Sequence, residues 1–303
     1  MQSHPRISEL LVETKAYTDL EQPVILTSGE LGIYYINTEK LVQDGGKFDE
    51  FGDNSQAMIK HAIEMTKQHP TFGEVIDILS EKAKNLLQLP NAKSAISGGQ
   101  RRDWLFSGPV AYQLGIPHIS LYKNGVIESI GLRGGRSAGT SFFSTRDAQV
   151  LHIADLLTEA SSCYRIEDKV ERGWIPMIRG GAKINDLIAI VTRCQGGEET
   201  LKRQHVTAHP FVAIDENFLK QYSSNPERAV AYMQSPREWS ENYLRENGAL
   251  ALVKTFDPEG GKLDRAKKFL DRYGDVLVSS GAWEELDYDV QNKFGKSLRE
   301  LAA

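Results

Sequence analysis

Cysteine is almost missing from this chain of 303 residues. The two present, Cys163 and Cys194, are too few and too far apart for a disulfide framework and lack metal-ligand spacing. A reducing, cytoplasmic setting is therefore the expectation. No apolar run approaches the roughly 20 residues that span a bilayer, and the opening Met1-Gln2-Ser3-His4-Pro5-Arg6 does not lead into the apolar segment of a secretory signal. No membrane association is expected. Positive charge is not in excess: 36 Lys and Arg stand against 41 Asp and Glu, a net charge of −5, which argues against a protein whose task is to coat nucleic acid. Internal repeats and low-complexity tracts are absent as well.

Hydrophobic residues at 40% and charged residues at 25% are ordinary for a globular protein, and the length allows one large domain with appendages, or two. Apolar positions within residues 149–162, namely Val150, Leu151, Ile153, Leu156 and Leu157, form a run too short for a globular helix and too continuous for a solvated strand. They read as a buried parallel strand. The carboxylate Asp155 and the hydroxyl residues Thr158, Ser161 and Ser162 follow at its end, with Glu159 and Ala160 between them. In open α/β sheets ligands sit beyond the carboxyl ends of strands, where a loop and the first turn of a helix offer N–H groups to an anion. An ordinary buried strand before a helix start is the alternative.

Upstream, Ser97-Gly98-Gly99-Gln100-Arg101-Arg102-Asp103 ends a second strand with two glycines and two arginines, residue types suited to an anion, although a solvated turn has the same composition. A third strand over residues 117–122 runs into Lys123. Residues 123–145 carry several glycines with Arg133 and Arg136 and read as a mobile basic lid containing a β-ribbon, or as a plain connector. Residues 162–172 are expected to be helical, residues 186–192 to form another buried strand, and residues 206–214 a last one. Ser55, and Thr71 with Glu74, are expected helix caps for two scaffold helices. Nearer the N-terminus a helix over residues 8–17 precedes two short strands joined at Ser28-Gly29, the second carrying Tyr34 and Tyr35. Strands alternating with helices over residues 92–214 predict a doubly wound, mostly parallel α/β sheet.

These motifs together resemble type I phosphoribosyltransferases, and those for orotate in particular. In that family a strand ends in two acids that hold the ribose hydroxyls of phosphoribosyl pyrophosphate, and a Thr, Gly and Ser loop cradles the 5′-phosphate. Asp155, Thr158 and Ser162 match; Ala154, Glu159 and Ala160 depart. The Leu26, Ser28, Gly29, Tyr34, Tyr35 and Asn37 pattern resembles the family's N-terminal hood over the pyrimidine, with Thr27 where the family has Lys. Tyr34 and Tyr35 also read as ordinary strand aromatics. The resemblance covers about residues 24–214. It implies catalytic roles for Asp155 and Lys123; Arg133 and Arg136 are further catalytic candidates from their charge and their place in the glycine-rich segment. It also implies substrate contacts at Gly98, Gly99, Gln100, Arg101, Arg102, residues 158–162, Ser28, Gly29, Tyr34 and Tyr35. Phosphoribosyl pyrophosphate and a pyrimidine base such as orotate are the implied small-molecule partners, with Mg²⁺ on the pyrophosphate and a homodimer as the expected assembly.

The expected organisation is a helix and hood over residues 1–54, the α/β core over 55–214 and a helical extension over 215–303. The departures at Thr27, Ala154, Glu159 and Ala160 motivate a second reading, a phosphoribosyltransferase-like module that binds a nucleotide or sugar phosphate without turnover. A dinucleotide-binding fold ranks low because no G-x-G-x-x-G follows an early strand.

Overall fold

The computed structural model describes residues 3–26, 28–44, 46–88, 93–133, 136–140 and 148–302. Its strands, in chain order, are β1 (Tyr17–Ile25), β2 (Leu31–Ile36), β3 (Ser94–Gly99), β4 (His118–Leu121), β5 (Ile127–Arg133), β6 (Arg136–Thr140), β7 (Ala148–Leu157), β8 (Arg165–Glu167), β9 (Val170–Arg172), β10 (Ala182–Thr192) and β11 (Thr207–Ala213). The chain divides into two compact units, residues 1–16 with 37–214 and residues 17–36 with 215–303. The hairpin expected to belong with the N-terminal region thus clusters with the C-terminal helices. No helix among the described residues is long and apolar enough to cross a membrane.

The first unit is built on a seven-stranded sheet of order β11-β10-β7-β3-β4-β5-β6. The five strands from β11 to β4 are mutually parallel, while β5 and β6 continue the sheet as antiparallel neighbours of β4. β3 is buried along its whole length and β7 along most of it, and burial on both faces is why β7 reads as a nearly continuous apolar run. One face of the sheet, through Ala95, Val150, Ala154, Leu187 and Ala189, packs on Trp174, Ile175 and Ile178 of the helix Trp174–Arg179 and on Leu201. The helices Ser55–Gln68, Pro70–Leu87 and Trp104–Leu114 form a second layer, in which Trp104–Leu114 contacts β3, β4 and β7. The doubly wound α/β class expected from the alternation of elements is the one observed.

Local chemistry corrects several expectations. Residues 165–172 form the hairpin β8-β9 and not a helix: Asp168 and Lys169 adopt φ of +50° and +64°, a two-residue left-handed turn that reverses the chain. The helix Ser55–Gln68 is capped by Asn54, whose Oδ1 accepts from Ala57 N at 3.0 Å, and Ser55 donates instead to Glu128 at 3.0 Å. The helix Pro70–Leu87 starts on Pro70, a residue suited to the first turn because its missing N–H would be unpaired there, and Glu74 accepts from Arg6.

In the second unit β1 and β2 pair antiparallel, and a single aliphatic and aromatic core joins Ile25 and Leu31 to Leu252, Phe256, Phe269, Tyr273 and Leu286. Tyr232 donates to Leu31 O at 2.6 Å and Arg228 to Leu20 O at 3.0 Å, so the hairpin's carbonyls are paired with helical side chains. A Cβ at Gly29, where φ is +83°, would lie 2.6 Å from Lys268 Cβ; close helix approach accounts for that glycine. Tyr34 is a core residue against Tyr17 and Tyr232, whereas Tyr35 is exposed. Ser28 Oγ accepts from Glu30 N.

Candidate functional site

β3 and β7 are hydrogen-bonded neighbours in parallel register, Ser94 opposite Gln149 and Ser97 opposite His152, so their following loops emerge side by side at the carboxyl edge of the sheet. Asp103 joins them. Its Oδ2 accepts the Gly99 N–H at 2.9 Å and its Oδ1 accepts the Asp155 N–H at 2.9 Å. Burial, with Asp155 alongside, pushes the Asp103 carboxyl well above the usual aspartate range. Beneath it, His152 Nδ1 lies 3.0 Å from Ser97 Oγ, and its Nε2 faces Asp103 Oδ2 at 3.7 Å without a hydrogen bond. Burial lowers His152 to about 3, which leaves the ring neutral and this contact without a salt bridge. His118, also lowered to about 3 by burial, sits between Ser107 and Ser120.

The Asp155 carboxylate is already engaged. Oδ2 accepts from Thr38 Oγ1 at 2.7 Å and faces Arg102 Nη1 at 3.6 Å. Arg102 Nε also faces Glu39 at 3.5 Å, and Arg101 is ion-paired to Asp49. Asn37 sets this segment: its Oδ1 accepts from Glu39 N at 3.2 Å, capping a 3₁₀ turn over Thr38–Leu41 that turns Thr38 and Glu39 toward the loop. Gln100 ties the arginine loop to the end of β4, donating its N–H to Leu121 O at 2.8 Å and accepting from Lys123 N at 2.9 Å. The Gln100–Arg101 peptide bond is cis.

Packing accounts for the two glycines of this loop. A Cβ at Gly98 would lie 2.2 Å from Ser107 Oγ, and one at Gly99 2.4 Å from the Trp174 indole, so both are demanded by packing. The Gly99 N–H is also spent on Asp103. The positively charged side chains of this loop are Arg101 and Arg102, both already paired with acids.

After β7 the loop turns on Ala160, whose φ of +61° places a non-glycine residue in the left-handed region. Cys163 N and Tyr164 N both donate to Ala160 O at 2.9 Å, and Arg165 donates to Ser161 O. Among the described residues no backbone hydrogen bond begins at the N–H groups of residues 158–162. Amides left without backbone partners beside a left-handed residue are available to an anion. Because β8 follows, no helix dipole assists them. Glu159 is exposed. A Cβ at Gly197 would lie 2.4 Å from Thr158 O, so the turn after β10 buttresses this loop.

Asp155, Gln100, Arg101, Arg102, Lys123 and residues 158–162 are thus in one unit. Ser28, Gly29, Tyr34 and Tyr35 belong to the other. Arg133 and Arg136 are register partners across β5 and β6, and residues 134, 135 and 141–145 of the expected lid lie outside the described residues. Thr38, Glu39, Asp49, Asp103 and His152 are contributions that sequence reasoning missed; the one available signal was Asp103, an acid directly ahead of a helix and behind two arginines.

Solved phosphoribosyltransferases are similar to this chain. Orotate phosphoribosyltransferase from Aeropyrum pernix is 17% identical over 71% of this chain and 98% of its own, with a TM-score of 0.47. UMP synthase from Leishmania donovani is 15% identical over 77% of this chain and 42% of its own, with a TM-score of 0.49. Adenine phosphoribosyltransferase from Thermoanaerobacter pseudethanolicus is 15% identical over 60% of this chain and 89% of its own, with a TM-score of 0.34. No family model matches the chain, and no curated protein matches it.

Proposed function

We propose that this protein is a phosphoribosyltransferase of the orotate type, which forms a nucleoside monophosphate from phosphoribosyl pyrophosphate and a pyrimidine base such as orotate. One observation carries the reading: two adjacent parallel strands end in an arginine loop and a loop of unpaired amides, and Asp103 ties Asp155 to the first of them. In this scheme residues 158–162 hold the 5′-phosphate and Asp155 the ribose hydroxyls. Arg101, Arg102 and Lys123, with Arg133 and Arg136 from the β5-β6 ribbon, stabilise the departing pyrophosphate. Catalysis is then positional and electrostatic, with Asp155 facing the positive charge that develops at the anomeric carbon.

The described residues contain no cluster of three or more His, Cys, Asp or Glu able to hold a metal, and Asp155 already has Arg102 beside it. This donor set fits an Mg²⁺ that arrives on the substrate's pyrophosphate and neutralises its charge. We also propose a homodimer in the cytoplasm.

Titration calorimetry with phosphoribosyl pyrophosphate and Mg²⁺, followed by an orotate absorbance assay, tests the scheme. Asp155→Asn keeps the shape of the side chain and removes a charge-assisted hydrogen-bond acceptor worth about 1.5–3 kcal/mol, so affinity falls by roughly tenfold to a hundredfold. Unchanged affinity defeats the assignment. A second reading, a binding module without turnover, is favoured by Ala154, which is buried at the place of the family's first acid. Ala154→Asp distinguishes the two: a large gain in transfer over a silent parent marks a binding module, and an active parent marks the enzyme.

A further inference from the structure

We infer that Glu39 and Asp49 are built-in counter-ions of the arginine loop, held on Arg102 and Arg101 until a ligand with two anionic groups replaces them. The inference rests on the reading of this loop as a pyrophosphate site and deepens it by naming what the ligand must displace.

Both loop arginines point to acids from one segment, the stretch that follows β2. Arg101 pairs with Asp49; Arg102 faces Glu39 at 3.5 Å and Asp155 at 3.6 Å. On this segment Thr38, Leu41, Val42 and Phe48 are buried, and Asn37 caps the turn that carries Glu39. The acids themselves are less enclosed. The Asp49 side chain is 75% exposed and that of Glu39 29%, so each can swing to solvent. Burial raises the Glu39 carboxyl above its ordinary range, with Arg102 opposing the shift, so this acid is a poorly solvated group held by its guanidinium partner. Two separate carboxylates on two guanidinium groups match a diphosphate, which offers an anionic group to each. A single phosphate can replace only one acid at a time. Displacing the acids therefore costs a diphosphate two exposed ion pairs and a single phosphate only one, and the released carboxylates are rehydrated.

The test is calorimetric titration of the full chain with inorganic pyrophosphate and, separately, inorganic phosphate, both without Mg²⁺. Exposed ion pairs contribute about 0.2–1 kcal/mol each, so Glu39→Gln and Asp49→Asn should each tighten pyrophosphate binding about 1.5- to fivefold, and the double variant up to about 25-fold. Phosphate should gain less than pyrophosphate from the double change. Glu50→Gln alters the net charge equally in the neighbouring exposed residue and should move binding by less than about twofold. If the native chain binds pyrophosphate and the double variant binds it no better, or if Glu50→Gln gives the same gain, the clasp is wrong and the site reading stands. If neither the native chain nor any variant binds pyrophosphate, the clasp and the proposed function fall together.

Discussion

Replacing Asp103 by asparagine keeps the side-chain shape and takes away one of the two acceptors on which the site is hung. The carboxylate receives the Gly99 and Asp155 N–H groups, each at 2.9 Å, one on each oxygen. A protonated carboxyl still accepts at both oxygens; an amide cannot, because its NH₂ must face one of the two N–H donors. Leaving one buried donor unpaired costs about 1–3 kcal/mol, and for a unit of this size that lowers Tm by about 2–12 °C. The deficit depends on pH with a definite sign. The folded protein holds the Asp103 proton more tightly than the unfolded chain, so native stability falls as pH rises from the ordinary value of 3.8 through the raised folded value. The asparagine variant lacks that loss, so the gap between the two proteins is widest near pH 4 and narrows upward. Urea unfolding followed by tryptophan fluorescence reads this directly, since Trp104 donates to Gly98 O and Trp174 covers Gly99. No gap at pH 4, or a gap that widens with pH, refutes the account of Asp103 as a buried double acceptor.

Gly99→Ala should cost about 1–3 kcal/mol by driving a methyl into the Trp174 indole, measured by chemical unfolding, and the same change at Gly115, where a Cβ meets nothing, should not reproduce an overpacking penalty of that origin. His118 and His152 should show no ring titration by NMR between pH 5 and 8. Because their folded values of about 3 lie below the ordinary 6.5, the unfolded chain takes up protons first and stability is lost as pH falls from 6.5 toward 3. Alkylation followed by mass spectrometry should label the exposed Cys194 readily and Cys163 only on unfolding, since burial raises the Cys163 thiol to about 12.

The sheet was legible because its strands are short apolar runs punctuated by glycine and separated by helical periods, and that pattern has few topological solutions. Residues 165–172 show the limit. Their composition suits a helix, and no Gly or Asn marks the turn; Asp168 is a weak turn signal by itself, and Lys169 takes a left-handed conformation its residue type does not advertise. The caps fail for a similar reason, since Asn54 and Ser55 are equally good candidates one position apart and only Glu128, distant in sequence, decides which side chain is free to cap.

In the site, sequence exposes residue types and hides who is already paired. Gly98 and Gly99 look like a phosphate loop because glycine, arginine and a strand end are what such a loop needs, yet each glycine answers to a side chain, Ser107 or Trp174, that arrives from elsewhere in the chain. Asp155 reads as a lone acid awaiting a ribose, but Thr38 and Arg102 reach it first, across 117 residues in the case of Thr38. Ala160 reads as a lost glycine, and the structure keeps the glycine's conformation there: φ is +61°, and the Ala160 carbonyl receives two N–H groups that close the turn. The loop shape thus survives the substitution at a cost of about 1–2 kcal/mol in backbone strain, which the buried methyl partly offsets. Loss of the glycine from the motif is then no argument against the cradle. Under the proposed function, the departures that bear on turnover are those that change charge: Ala154 and Thr27, where the family has an acid and a Lys, and Glu159, which adds an acid to the loop.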